Sequence, residues 1–280
     1  METVAIFGVG LIGGSFALAL KKAGFSGKII GVSSPATIDA ARRAGVIDDA
    51  LPAEEAARIA DLCYLAQPIA QILETLPQLN LWVRPDTLVT DAGSTKGLIV
   101  ARATETLSRC EFLGGHPLAG KERRGVENAN PDLFRGRTYV LTPPEGQGPA
   151  SPRSARFVEW LDRIGAQPLF TRPEIHDQVV AYTSHLPQLT STALAACVAR
   201  EWGGGAPPIW GPALVDSTRL ALSPFDIWGD ILKTNAQAID TALARFIEQL
   251  QQMRENLTGS EVKDLFDQGA KLAHRVRDSA

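Results

Sequence analysis

Short, uninterrupted apolar runs alternate with helix-spaced segments along the first part of the chain. VAIF (4–7), KIIGV (28–32), LCYLA (62–66), LVTDAG (88–93), FLGG (112–115), YVLT (139–142) and PLFT (168–171) each read as a strand buried on both faces. Between them, SFALALKKAG (15–24) and PATIDAARRAG (35–45) carry helical spacing and end in glycine. Strands of this kind alternating with helices predict a doubly wound, mainly parallel α/β sheet. After Phe170 the strand pattern stops. Residues 174–202 read as one long helix that Pro187 should kink, 225–253 as a second and 260–277 as a third. Between the first two, GGGAPPIWGPALVDSTRL (203–220) reads as a glycine- and proline-rich loop. The expected domains are therefore 1–171, α/β, and 172–280, all-helical. The long apolar helices of the second domain are poorly suited to bury themselves alone, which predicts a homodimer built through it.

Composition narrows the function classes. The chain has 280 residues, 45% apolar and 21% charged, the balance of a globular protein with a sizeable core. A net charge of −3 gives no electrostatic basis for binding nucleic acid or an anionic membrane. No apolar run approaches the roughly 20 residues needed to span a bilayer. Cys63, Cys110 and Cys197 are scattered and odd in number, which argues against a disulfide framework or a zinc site and for a reducing cytoplasm.

The first chemical signal is GVGLIG (8–13), which follows a predicted strand and opens a predicted helix. In that context Gly8 permits a tight turn, Gly10 lets a pyrophosphate approach the backbone, and Gly13 allows close helix–strand packing. The free N–H groups of the helix start, at Leu11 and Ile12, then face the phosphates. About 20 residues further on, an acid usually holds the ribose of NAD. Here Ser33 and Ser34 stand in that place, so a 2′-phosphate meets no carboxylate. NAD or NADP is expected, with a slight lean to NADP. Ser34 equally suits the N-cap of the helix that begins at Pro35.

The second signal sits at two further strand ends, where ligands of such sheets bind. DAGSTKG (91–97) and GGHPLAGKE (114–122) place Ser94, Lys96, His116 and Glu122 toward the nicotinamide end. Gly114 and Gly115 read as a sharp turn that holds His116 at the strand tip, with Pro117 stiffening the exit. Histidine is well matched to accept a proton near neutral pH, so His116 is a candidate acceptor beside a nicotinamide. Asp177, next to His176, reads as support for a helix start rather than half of a catalytic dyad. Trp160, Phe225 and Trp228 read as packing.

Together, GVGLIGGS, TDAGSTK (90–96), GGHPLAGKE, HDQVVAYTSHLP (176–187) and DSTRLALSPFDIWGDI (216–231) resemble the prephenate/arogenate dehydrogenases of tyrosine biosynthesis over nearly the whole chain. The resemblance implies a Rossmann domain followed by a helical dimerisation domain, and oxidative decarboxylation of prephenate or arogenate with hydride transfer to NAD(P)+. It implies that His116 accepts a hydrogen bond from the substrate's ring hydroxyl and that Ser94 assists. It further implies that His185 positions the substrate, that Arg219 binds a substrate carboxylate, and that Glu122 lies near the pocket mouth. No metal is implied. The chain departs from the family pattern in its longer, apolar GGGAPPIWGPALVD segment and in Gln188, where histidine often follows SHLP. Two other readings stay open: a two-domain hydroxy-acid dehydrogenase or imine reductase using Lys233, and a nucleotide-binding sensor without catalysis.

Overall fold

The computed structural model describes residues 1–120, 123–143, 148–202 and 209–278. Eight strands form one sheet: β1 (Thr3–Phe7), β2 (Lys28–Val32), β3 (Asp49–Ala50), β4 (Leu62–Leu65), β5 (Leu88–Asp91), β6 (Glu111–Pro117), β7 (Thr138–Thr142) and β8 (Gln167–Phe170). Their order is β3-β2-β1-β4-β5-β6-β7-β8. Neighbours from β3 to β6 pair in parallel, β6 and β7 antiparallel, and β7 and β8 parallel. The order reverses at β1, which lies between β2 and β4, so the glycine turn leaving β1 stands at the switch point of the sheet.

The helices among the described residues are α1 (Leu11–Lys22), α2 (Pro35–Arg43), α3 (Ala53–Ile59), α4 (Ile69–Trp82), α5 (Gly97–Thr106), α6 (Pro152–Arg163), α7 (Pro173–Val180), α8 (Leu186–Trp202), α9 (Pro212–Thr218), α10 (Phe225–Thr234), α11 (Ala236–Glu255) and α12 (Ser260–Asp278). Alternation along β1 divides its side chains between two cores. Val4 and Ile6 join Phe16 and Leu20 of α1 and Phe157 and Leu161 of α6. Ala5 and Phe7 join Ile72 and Leu76 of α4 and Ile99 of α5. The second core continues into the helical half through Ala181, Ile231, Ile239 and Ala242. That half therefore packs on one face of the sheet. No described helix is long and apolar enough to cross a membrane.

Four expectations need correction. Gly114 and Gly115 make no hinge: both lie inside β6, where a Cβ on Gly115 would stand 2.6 Å from the Asp91 carbonyl oxygen. Gly115 is small because neighbouring backbone is close and Gly114 because the Thr142 hydroxyl and a Val100 methyl are, and His116 is itself a strand residue. Residues 225–253 are two helices, α10 and α11, broken at Asn235, whose side chain donates to the Asp177 carbonyl at 2.8 Å. The segment read as a loop carries α9 and a 3-10 turn over Arg219–Leu222. Phe225 is 72% exposed and joins neither core.

The kink expected from Pro187 takes the form of a π-turn at Ala181–His185 between α7 and α8. A proline ring in a helix crowds the carbonyl four residues back, and the wider π backbone relieves it.

Candidate active site

The glycine turn is shaped for a phosphate. Gly8 has φ +90°, the left-handed region that favours glycine, and a Cβ there would meet the Ala66 carbonyl oxygen at 2.7 Å. Gly13 lies against the same turn: a Cβ would collide with the Gly8 carbonyl and stand 2.8 Å from Ile6 Cγ2. Gly10 is the opposite case, with nothing within 4 Å of a Cβ position. Its backbone faces open space at the N-terminus of α1, where unpaired N–H groups attract an anion.

Two adjoining hollows share Gly10, Ala66, Gln67, Pro68 and Gly125. The first, about 470 Å³, is bounded by Gly8, Ser33, Thr37 and Glu127. The second, about 400 Å³, is bounded by Leu11, Ile12, Ser94, Ala119 and, from α10, Asp226, Ile227, Asp230 and Ile231. Such a trough, running from the end of β2 across the glycine turn to the ends of β5 and β6, fits an extended dinucleotide. Ser33 lies on its wall. Ser34 caps α2, its Oγ accepting from the Thr37 N–H at 3.4 Å. The acid missing from the end of β2 is present in another element: Glu127, on the 3-10 turn Val126–Asn128. Sequence spacing gave no signal for it, because it enters the groove from a distant segment.

His116 is held from behind by a buried polar cluster. The Lys96 ammonium donates to the Gly115 carbonyl at 2.7 Å and pairs with the Asp91 carboxylate, which also accepts from the Gly115 N–H at 3.0 Å. Lys96 and Asp91 are fully buried, so Lys96 ties the ends of β5 and β6 together and does not face the cleft. His116 Nδ1 lies 2.8 Å from His176 Nε2, and His176 Nδ1 lies 2.7 Å from Asp177 Oδ1. Burial, followed by the charges of His176, Lys96 and His185, holds the His116 pKa well below the usual histidine value. The imidazole is therefore neutral at pH 7, with an acceptor nitrogen available.

Asp177 does support a helix start, but not that of its own helix. Its carboxylate accepts from the Lys96 N–H at 2.7 Å and the Gly97 N–H at 2.8 Å, capping α5 from the helical half. The same carboxylate reaches His176, so the dyad set aside in the sequence is present as well. Neither residue was singled out as part of the site. The adjacent letters HD show only a histidine beside an acid, not the strand tip they reach.

Ser94 borders the trough and does not cap α5, which begins at Gly97. His185 lies on the π-turn and is 1% exposed, with its Nδ1 3.3 Å from Asn235 Nδ2 and its ring edge-on to Trp228. Burial is the main cause of its pKa, lowered to about 4. Arg219 is exposed on its 3-10 turn, which α8 holds through a 2.8 Å hydrogen bond from Gln188 Nε2 to the Leu220 carbonyl. That hydrogen bond joins the turn to the helical half. Glu122 lies outside the described residues.

Comparison with known proteins agrees with this fold. A family model described as prephenate dehydrogenase, nucleotide-binding domain, matches residues 16–167, and one for the prephenate dehydrogenase dimerization domain matches residues 172–269. The prephenate dehydrogenase of Bacillus subtilis is 33% identical over 283 residues, covering 95% of this chain and 72% of the relative. A crystal structure of prephenate dehydrogenase from A. aeolicus, in complex with hydroxyphenyl propionate and NAD+, superposes with a TM-score of 0.88 at 29% identity, covering 100% of this chain and 99% of that one. Synechocystis arogenate dehydrogenase gives a TM-score of 0.82 at 28% identity, covering 98% and 99%. The chain belongs to the prephenate dehydrogenase family and is an NAD(P)-dependent dehydrogenase.

Proposed function

We propose that the chain carries out the oxidative decarboxylation of prephenate or arogenate in tyrosine biosynthesis, with His116 as the group that polarises the ring hydroxyl. The observation that carries this reading is an imidazole at the end of β6, engaged through Nδ1 by His176, on the strand that leads to Ala119 and Gly120 of the trough wall. NAD(P)+ supplies the hydride acceptor when bound in that trough. His116 Nδ1 is engaged by His176, so Nε2 is the nitrogen left to accept from a substrate hydroxyl. As hydride leaves the hydroxyl-bearing carbon, the O–H proton is drawn to Nε2. The electrons of the bond to the ring carboxylate then flow into the ring, carbon dioxide departs, and the phenol oxygen recovers its proton. Aromatisation drives the step, so the protein's work is orientation, polarisation and exclusion of water.

Ser94 assists at the nicotinamide end. His185 and Arg219 orient the substrate, and the planar guanidinium suits a carboxylate because it can bind both oxygens. Glu122, outside the described residues, keeps only the role that the family resemblance implies for it. Within the trough, Ser33 and Thr37 offer hydroxyl donors to a 2′-phosphate while Glu127 opposes one, so the choice of cofactor is set by that balance. We place the domain boundary at Thr171–Arg172, between β8 and α7.

The helical half leaves Leu222 and Phe266 exposed, and α12 buries no residue. A second copy of the chain is the partner proposed for these faces, and light scattering should return twice the mass of one chain. An assay of prephenate and arogenate, each with NAD+ and with NADP+, tests the catalytic reading by following reduced nicotinamide. Turnover of one substrate supports it; no turnover in any of the four combinations overturns it.

A further inference from the structure

Three groups stand in line: Asp177 and His176, both buried, and the half-buried His116. Asp177 accepts two backbone N–H bonds at the start of α5, where the helix end favours a negative charge. An ionised carboxylate has no proton to give, so the hydrogen of the 2.7 Å contact to His176 Nδ1 belongs to the imidazole. A neutral His176 then carries its lone pair on Nε2. That lone pair faces His116 Nδ1 at 2.8 Å, with the two rings near perpendicular at 75°. His116 must therefore hold its hydrogen on Nδ1 and its own lone pair on Nε2.

We propose that His176 is a positioning residue for the dehydrogenase reaction: fastened by Asp177, it fixes the tautomer of His116 that can accept from the substrate. This rests on the reading of His116 given above. The alternative proton arrangement reverses the line. If His176 carried a second proton, His116 Nδ1 would accept and its Nε2–H would face the substrate as a donor, leaving no acceptor there. The charges around the pair oppose that state. The Lys96 ammonium, just before α5, adds to the positive potential at His116, and Asp177 already shares its charge with two N–H groups. Asp91 is itself taken up by the Lys96 ammonium. During the reaction the proton drawn to Nε2 makes His116 an imidazolium, whose Nδ1–H bond to His176 strengthens. No proton leaves the pair, and the phenol oxygen takes it back.

The test uses full-length enzyme, with the His176→Gln and His176→Leu variants, and two readouts. Nitrogen-15 NMR of histidine-labelled protein, with the His116 signals assigned by their loss in His116→Asn, should show Nδ1 protonated and Nε2 bare in the wild type without substrate. In kinetics, His176→Leu should lower kcat by about 10²-fold, within the span that misplaced or missing bases cost, with substrate KM and cofactor affinity nearly unchanged. His176→Gln can accept from Nδ1–H through its Oε1 and should recover most of that loss. A wild-type spectrum with Nε2 protonated, unchanged kcat in the leucine variant, or a glutamine variant no better than leucine would each overturn the proposal. The spectrum is read on the free enzyme, so it decides the tautomer even if neither proposed substrate turns over. If the leucine variant does not fold, the spectrum and the comparison of glutamine with wild type still decide.

Discussion

The two halves of the molecule solve the problem of burial differently. In the nucleotide-binding half, Val4, Ala5, Ile6, Leu62, Cys63 and Val89 are all fully buried between two helical layers of the same chain. In the helical half, α9 and α12 bury nothing, and the only buried residues of α8 are Gln188 and Ser191. One half completes its own core; the other borrows part of the first and leaves apolar surface over. The seam between them is held at defined polar points. Asp177 caps α5, Asp230 accepts from the Ala70 N–H at 3.0 Å in the first turn of α4, and Thr95 meets Thr234 at 2.7 Å. Asp230 borders the trough and Asp177 reaches His176 behind His116, so the half with the weaker core helps to fix the geometry of the chemistry.

The largest effect expected from disturbing this arrangement is chemical. His116→Asn should lower turnover by about 10²–10⁴-fold, the usual cost of a positioned base, while cofactor affinity measured by fluorescence titration stays the same. Equal turnover would place the chemistry elsewhere. Asp230→Ala removes a cap supplied across the seam and should cost about 0.5–2 kcal/mol, read from the denaturant midpoint. If the halves were independent, that variant would unfold like the wild type.

Acid should loosen the fold through its histidines. His185, at about 4 when folded against 6.5 in an ordinary histidine, and His116, also depressed, both refuse protons that the unfolded chain takes up. Their contribution is therefore intact above pH 6.5 and is lost progressively as pH falls toward 4. The urea midpoint should be lower at pH 5 than at pH 7.5, and His185→Gln should narrow the gap. The smallest effect concerns the cofactor. Glu127→Gln should raise the preference for NADP over NAD by about fivefold, since one unit charge at 4 Å across water is worth about 1 kcal/mol. An unchanged ratio of kcat/KM values would remove Glu127 from that choice.

What could be read in the sequence follows the same division. Strands buried on both faces announce themselves as apolar runs, and Gly8 and Gly13 sit where backbone approaches backbone, so the strands of the first half and its first two helices were legible. The exception is β3, two residues long, which carries no pattern. The second half was less legible because tertiary contacts override local signals there. Apolar spacing runs unbroken through Asn235, since Ile231 before it and Ile239 after it both reach the core, and the break comes from the bond Asn235 makes to Asp177. His116 and Ser94 were found because each follows a strand. His176 and Asp177 were missed because their partners lie 60 and 81 positions away in sequence. Glu127 was missed for the same reason: the groove assembles it from a turn that no spacing rule connects to β2.

The central claim, that a neutral imidazole on β6 takes the substrate's hydroxyl proton, is tested most directly by the pH dependence of kcat/KM in wild type and His116→Asn. That parameter reports groups of the free enzyme. In the wild type, activity should persist below pH 6.5 and then fall, as a base with a depressed pKa finally takes up a proton. In His116→Asn the remaining activity should be low and should lack that acid limb. A limb of the same midpoint in the variant would show that another group is the base, and the account would be contradicted.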